Sequence, residues 1–85
     1  MQYTKREISI FINNYFKKKD GEKILKKIKK INLIESGLID SLDLVTLSLE
    51  IEIKFKIKIN PNSTLTLKNF SKIETLIDYV YKKCQ

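Results

Sequence analysis

The sequence predicts an all-α fold: a four-helix bundle with three main helices, one short helix and a long first loop. Three observations lead there. Two Ser/Thr-x-x-Glu capping boxes, Thr4-Lys5-Arg6-Glu7 and Ser71-Lys72-Ile73-Glu74, mark helix starts. Apolar residues recur at helical spacing after each box, and again after Asp40-Ser41. Only residues 55–59, Phe-Lys-Ile-Lys-Ile, alternate like a strand. No second good strand exists to pair with them, and an isolated strand is not stable.

The first helix places Ile8, Phe11, Ile12, Tyr15 and Phe16 on one face. Lys17-Lys18-Lys19 suits the negative end of its dipole, and Asp20-Gly21 ends it. Residues 22–31 read two ways. Ile24, Leu25, Ile28 and Ile31 make either a short amphipathic helix or anchors of a long loop. Residues 32–39 read as a loop with a turn at Ser36-Gly37. The second helix starts at Asp40 or Ser41, since either residue can be the N-cap. The spacing groups Leu42, Val45, Leu49 and Ile53 on one face, widened by Leu44, Leu47, Ile51 and Phe55. An extended connector follows, with a turn at Asn60-Pro61-Asn62 and a short helix over 63–68. The last helix turns Ile73, Leu76, Ile77 and Val80 inward.

The 85 residues suit a single domain, 1–85, with little room for an enclosed active site. There is no histidine and one cysteine. That composition excludes His/Cys metal clusters, disulfide frameworks and any mechanism with a histidine base. No apolar run approaches the ~20 residues of a membrane span. Residues 1–10 lack the apolar block of a secretory signal, and a lone thiol suits a reducing compartment. The expectation is a cytoplasmic monomer.

Charge is unevenly distributed. The total is +7, yet residues 31–53 hold Glu35, Asp40, Asp43, Glu50 and Glu52 with no Lys or Arg, a net of −5. The remaining sequence therefore carries +12. Any function must account for an acidic segment inside a basic chain.

That segment contains Gly37-Leu38-Ile39-Asp40-Ser41-Leu42. A serine at a helix N-terminus projects its hydroxyl to solvent, beside backbone N–H groups that lack helical partners. A phosphodiester there would face the positive end of the helix dipole. The dipole supplies only ~0.3–1 kcal/mol at an exposed position, far below the ~8–23 kcal/mol of enzymatic catalysis. No base lies nearby in sequence, and Asp40 and Asp43 read as ordinary exposed carboxylates. The pattern suits a serine modified by another enzyme better than a nucleophile. The tripeptide Asp40-Ser41-Leu42 alone is equally an ordinary helix cap.

The surroundings add to it. Residues 32–81 resemble the acyl carrier protein family. The resemblance runs in order through Leu33, Gly37 and Asp40-Ser41-Leu42. It continues through Leu49-Glu50-Ile51-Glu52-Ile53-Lys54-Phe55, Ile57-Lys58-Ile59, Asn69-Phe70, Ile73 and Ile77. It implies an acyl-carrier-like four-helix bundle, not an enzyme. Ser41 would accept 4′-phosphopantetheine from coenzyme A through a phosphopantetheinyl transferase, with Asp40 helping to bind magnesium during transfer. The arm would hold an acyl or aminoacyl group as a thioester, loaded by a ligase or acyltransferase and delivered to downstream enzymes. Leu42, Asp43, Leu49, Glu50 and Glu52 would form the docking surface for those partners, and basic patches on the partners would match the acidic segment.

Three departures separate this chain from fatty-acid carriers, which are usually acidic overall. This chain is basic; Thr46 and Ile53 occupy positions that are often acidic; and Gly37 lies three residues before Asp40 rather than two. The last feature is similar to D-alanyl carriers and other stand-alone carriers of specialised pathways, such as those modifying surface polysaccharides or building secondary metabolites.

Outside that segment, residues 17–30 contain eight lysines. They fit a solvated surface, or a basic module for an anionic membrane or nucleic acid with no prosthetic group. Aromatic residues are not interleaved with them, so base stacking has no platform, and no nucleic-acid partner is expected. Tyr79 and Tyr81 are expected as partly buried packing residues, and Cys84 as a free thiol.

Overall fold

The computed structural model describes residues 3–85. Four α-helices are present: α1 (Lys5–Asp20), α2 (Ser41–Phe55), α3 (Thr64–Phe70) and α4 (Ile73–Lys83). A 3-10 helix, Glu22–Lys26, follows α1. No strand occurs among the described residues. The Cα radius of gyration is 11.8 Å, close to the ~12 Å of a compact chain this long. The long first loop is therefore packed onto the helices rather than extended from them.

α1 begins as its sequence dictates. The Thr4 hydroxyl accepts the Glu7 N–H at 3.1 Å, and the Glu7 carboxylate accepts the Thr4 N–H at 3.1 Å. Ile8, Ile12 and Phe16, four residues apart, are fully buried. Phe11 and Tyr15 flank that stripe. Phe11 meets the Phe55 ring edge-on at 5.2 Å, and Tyr3 meets it at 4.8 Å. These contacts join a residue just before α1 and the middle of α1 to the end of α2. Gly21 closes α1 at φ +87°, in the region that favours glycine.

Residues 22–31 form neither a regular helix nor a featureless loop. The 3-10 turn gives way to further turns, with Ile28 buried and Ile24 half-buried against the core. A regular helix here would set Lys23 over Lys27 and Lys26 over Lys30, like charges at destabilising spacing. Ten residues are also too few for a helix without tertiary support.

The loop over 32–39 holds itself in shape. The Asn32 side chain accepts the N–H groups of Ile34 and Glu35 at 3.0 and 2.9 Å. The Leu33 N–H reaches Ser71 O at 2.6 Å, and the Ile39 N–H reaches Leu33 O at 2.8 Å. Leu33 and Ile39 are buried plugs, and Gly37 turns the chain at φ +82°.

α2 splits the wide apolar face read from spacing into two. Its buried side is Leu44, Leu47, Ser48, Ile51 and Phe55. Leu42, Val45, Leu49 and Ile53, the other part of that face, are exposed by 74, 42, 52 and 77%. Both stripes recur at helical spacing, so periodicity alone does not choose between them. The inward stripe carries Phe55, the largest side chain of either set, which the aromatic cluster with Tyr3 and Phe11 draws inside.

The connector after α2 is extended, as its alternation and isolation predict. Lys56 ends α2 in the left-handed region at φ +57°. Ile59 is buried, and its N–H bonds the Glu52 carboxylate at 2.9 Å. α3 starts from a Ser63 cap and buries Thr66 and Phe70. The second capping box does not form. Ser71 ends α3 instead, its hydroxyl donating to Lys68 O at 2.6 Å, and Lys72 occupies the uncapped N-cap position of α4. With only two residues between the helices, Ser71 cannot serve both ends. α4 buries Ile73, Leu76 and Val80, with Ile77, Tyr79 and Tyr81 half-buried. The Cys84 thiol is free and partly covered, and burial pushes its pKa up.

Candidate functional site

Asp40 and Ser41 sit where loop becomes helix. Asp40 is the N-cap, and Asp43 completes a reciprocal box with it. Asp40 Oδ1 accepts the Asp43 N–H at 2.8 Å, and Asp43 Oδ2 accepts the Asp40 N–H at 3.2 Å. The Asp43 N–H bond holds the Asp40 carboxyl below its usual range, with Lys19 adding a smaller pull. Ser41 is the first helical residue, and it is exposed. It borders a cleft of about 310 Å³ whose apolar walls are Ile34, Ile39, Leu44 and Leu67.

This local chemistry modifies one expectation. The Asp40 carboxylate already uses the Asp43 N–H, so that donor of the helix end is not free for an added phosphate. A phosphodiester on Ser41 would lie beside an ionised carboxylate. That pairing would suit a cation between them, the role the family resemblance implied for Asp40 and magnesium. Asp40 and Ser41 are both solvent-facing, so the hydroxyl and carboxylate fit such a group sterically. Among the described residues, no three His, Cys, Asp or Glu side chains converge as a metal site.

Asp43 is not the ordinary exposed carboxylate read from sequence. Its side chain is 18% exposed. The Tyr15 hydroxyl donates to Asp43 Oδ1 at 3.5 Å, and the Lys19 ammonium lies 3.5 Å from Oδ2. The same ammonium donates to Leu38 O at 2.7 Å and pairs with Asp20 at 3.0 Å. Burial lowers the Lys19 pKa, but the bond to Asp20 and the charge of Asp43 outweigh it, so the net shift is upward. Burial, then the charges of Asp43 and Glu50, push Tyr15 up to about 12. These groups line a groove of about 450 Å³ between α1 and α2.

The predicted docking residues divide into two groups. Leu42, Leu49 and Glu50 are exposed. Asp43 and Glu52 are each committed to internal bonds, Asp43 to the cap and Glu52 to Ile59. The outward stripe also includes Val45 and Ile53; on α3, Leu65 and Leu67 are exposed too, Leu67 beside the Ser41 cleft. Sequence reasoning did not single out Leu65 and Leu67 as surface residues, and it did not separate Val45 and Ile53 from the buried stripe. The available signal was excess: α2 has more large apolar residues than one buried face can hold. Nothing in the sequence marks Lys19 or Tyr15 as neighbours of Asp43, because 24 and 28 residues separate them.

The class defined by this arrangement is a small all-helical protein with a solvent-facing serine at a helix start, beside an apolar stripe edged by carboxylates. No protein-family model, curated protein or solved structure matches the chain. Among the described residues, no helix is long and apolar enough to cross a membrane.

Proposed function

We propose that this chain is an acyl carrier protein. It carries 4′-phosphopantetheine on Ser41 and holds an acyl or aminoacyl cargo as a thioester for partner enzymes of a specialised pathway. The supporting observation is an exposed Ser41, first in α2 after the hydrogen-bonded Asp40 cap, with an exposed apolar stripe running away from it. That combination suits a serine modified in trans. An enzyme must bring a base to its nucleophile, and the nearest carboxylate, Asp40, is a weakened base whose pKa is lowered. The stripe gives partners an apolar footing, and Glu50 at its edge favours partners with basic rims. In this reading the protein acts in the cytoplasm as a monomer, meeting its transferase, its loading enzyme and its downstream enzymes in turn.

The test is transfer in vitro. Incubation with coenzyme A, magnesium and a broad-specificity phosphopantetheinyl transferase should add one arm per chain. Ser41→Ala should stay folded and gain none. Absence of an adduct on the wild type, or an adduct on Ser41→Ala, would overturn the assignment.

A further inference from the structure

The loop that presents Ser41 is anchored by buried Leu33 and Ile39, but few hydrogen bonds tie it to the helices. Its first half is pinned by the Leu33 N–H bond to Ser71 O and by the Asn32 side chain. Beyond Leu33 the loop bonds itself: Gly37 N–H to Ile34 O, Leu38 N–H to Ser36 Oγ, and Ile39 N–H back to Leu33 O. From Ile34 to Ile39, one hydrogen bond among the described residues reaches a helix: Lys19 Nζ to Leu38 O, at 2.7 Å. The same ammonium reaches Asp43 Oδ2, and that oxygen also holds the Asp40 N–H. One cation from α1 therefore touches both sides of Ser41, the loop carbonyl before it and the capping carboxylate after it.

We propose that Lys19 is a positioning residue for Ser41. It clamps the Gly37–Asp40 turn and the α2 cap to the end of α1, so the modifying enzyme meets an ordered serine. The proposal deepens the carrier assignment and rests on it. The geometry explains why a cation is needed. The Leu38 carbonyl and the Asp43 carboxylate are both acceptors, and only a multivalent donor can join them. An ammonium has three N–H bonds to give; here it donates to Leu38 O and Asp20, and its charge lies 3.5 Å from Asp43 Oδ2. Asp20 in turn fixes the lysine from its own helix end. A turn that is ordered in advance spares the transferase the cost of ordering it on binding.

Lys19→Met and Lys19→Arg are the test variants. Lys5→Met is the control. It removes the Lys5–Asp78 ion pair of 2.9 Å near the start of α1, ~21 Å away along the helix axis. Amide hydrogen exchange and transferase kinetics are measured on all four proteins. In Lys19→Met, exchange at Ile39, Asp43 and Leu44 should quicken by about tenfold, the scale of one charge-assisted hydrogen bond. Exchange in α4 should not change. The kcat/KM for arm transfer should fall several-fold in Lys19→Met, hold near wild type in Lys5→Met, and recover at least partly in Lys19→Arg. Unchanged exchange at these three amides would overturn the clamp. Faster exchange with unchanged transfer kinetics would overturn its role in modification. If the wild type itself takes no arm, the carrier assignment fails, while the exchange contrast between Lys19→Met and Lys5→Met still decides whether the clamp exists.

Discussion

α4 and α2 are both amphipathic by sequence, yet they use their apolar residues differently. In α4 the apolar side chains go inward: Ile73, Leu76 and Val80 are buried, and Glu74, Asp78, Lys82 and Lys83 face solvent. In α2 one apolar set, Leu44, Leu47, Ile51 and Phe55, fills the core. A second set, Leu42, Val45, Leu49 and Ile53, lies in water. Folding accounts for the whole of α4 and only half of α2. An unburied stripe of this kind contributes little to stability, so its place beside Ser41 points to contact with other molecules.

The sharpest way to break the comparison is a pair of truncations two residues apart. Leu47→Ala removes a fully buried side chain and should cost about 2–5 kcal/mol of unfolding free energy. Leu49→Ala, on the wet face, should change it by less than about 0.5 kcal/mol. Urea unfolding measures both. Equal losses would mean that the two stripes are not distinct. The same Leu49→Ala, combined with Leu42→Ala, should slow transfer to or from partner enzymes while leaving the fold intact.

Next in size is Ser48. It is 1% exposed on the inward face of α2, and its hydroxyl has no hydrogen-bond partner among the described residues. An unpaired buried hydroxyl is a standing cost, so Ser48→Ala should raise stability by about 1 kcal/mol. A loss of that size would show that the hydroxyl has a partner after all.

The cap offers a smaller, pH-dependent effect. The Asp40 pKa is lowered in the folded state, chiefly by the Asp43 N–H bond. Its stabilisation is therefore complete above the unfolded pKa near ~3.9 and is lost as pH falls through the folded value. Asp40→Asn should flatten that part of the acid unfolding profile.

The smallest effect lies at the alkaline end. Tyr15 is pushed up to about 12, first by burial and then by the charge of Asp43. The folded state favours the neutral phenol. That contribution is complete below the unfolded pKa near ~10 and fades as pH rises toward 12. Ultraviolet titration should show a late tyrosine phase that Tyr15→Phe removes.

These contrasts also show what the sequence could reveal. The Thr4 capping box, the Gly21 stop, the Gly37 turn and the start of α2 are local signals, and each appears in the structure where the chain placed it. The second box failed because Ser71 was claimed by the helix before it, a competition that a four-residue pattern does not express. Spacing merges the two apolar stripes of α2 into one face because they share one period, and the aromatic contacts of Tyr3 and Phe11 with Phe55 mark the inward one. Ser41 was legible as an exposed helix-start serine, since N-cap chemistry is local. Its link to Lys19 was not, because that contact depends on how α1 lies against the loop.

The most direct test of the central claim is peptide mass analysis of the protein isolated from its own host. The account predicts a phosphopantetheine mass on the peptide that contains Ser41, and on no other. A Ser41 peptide found entirely unmodified, or an arm located on another residue, would contradict it.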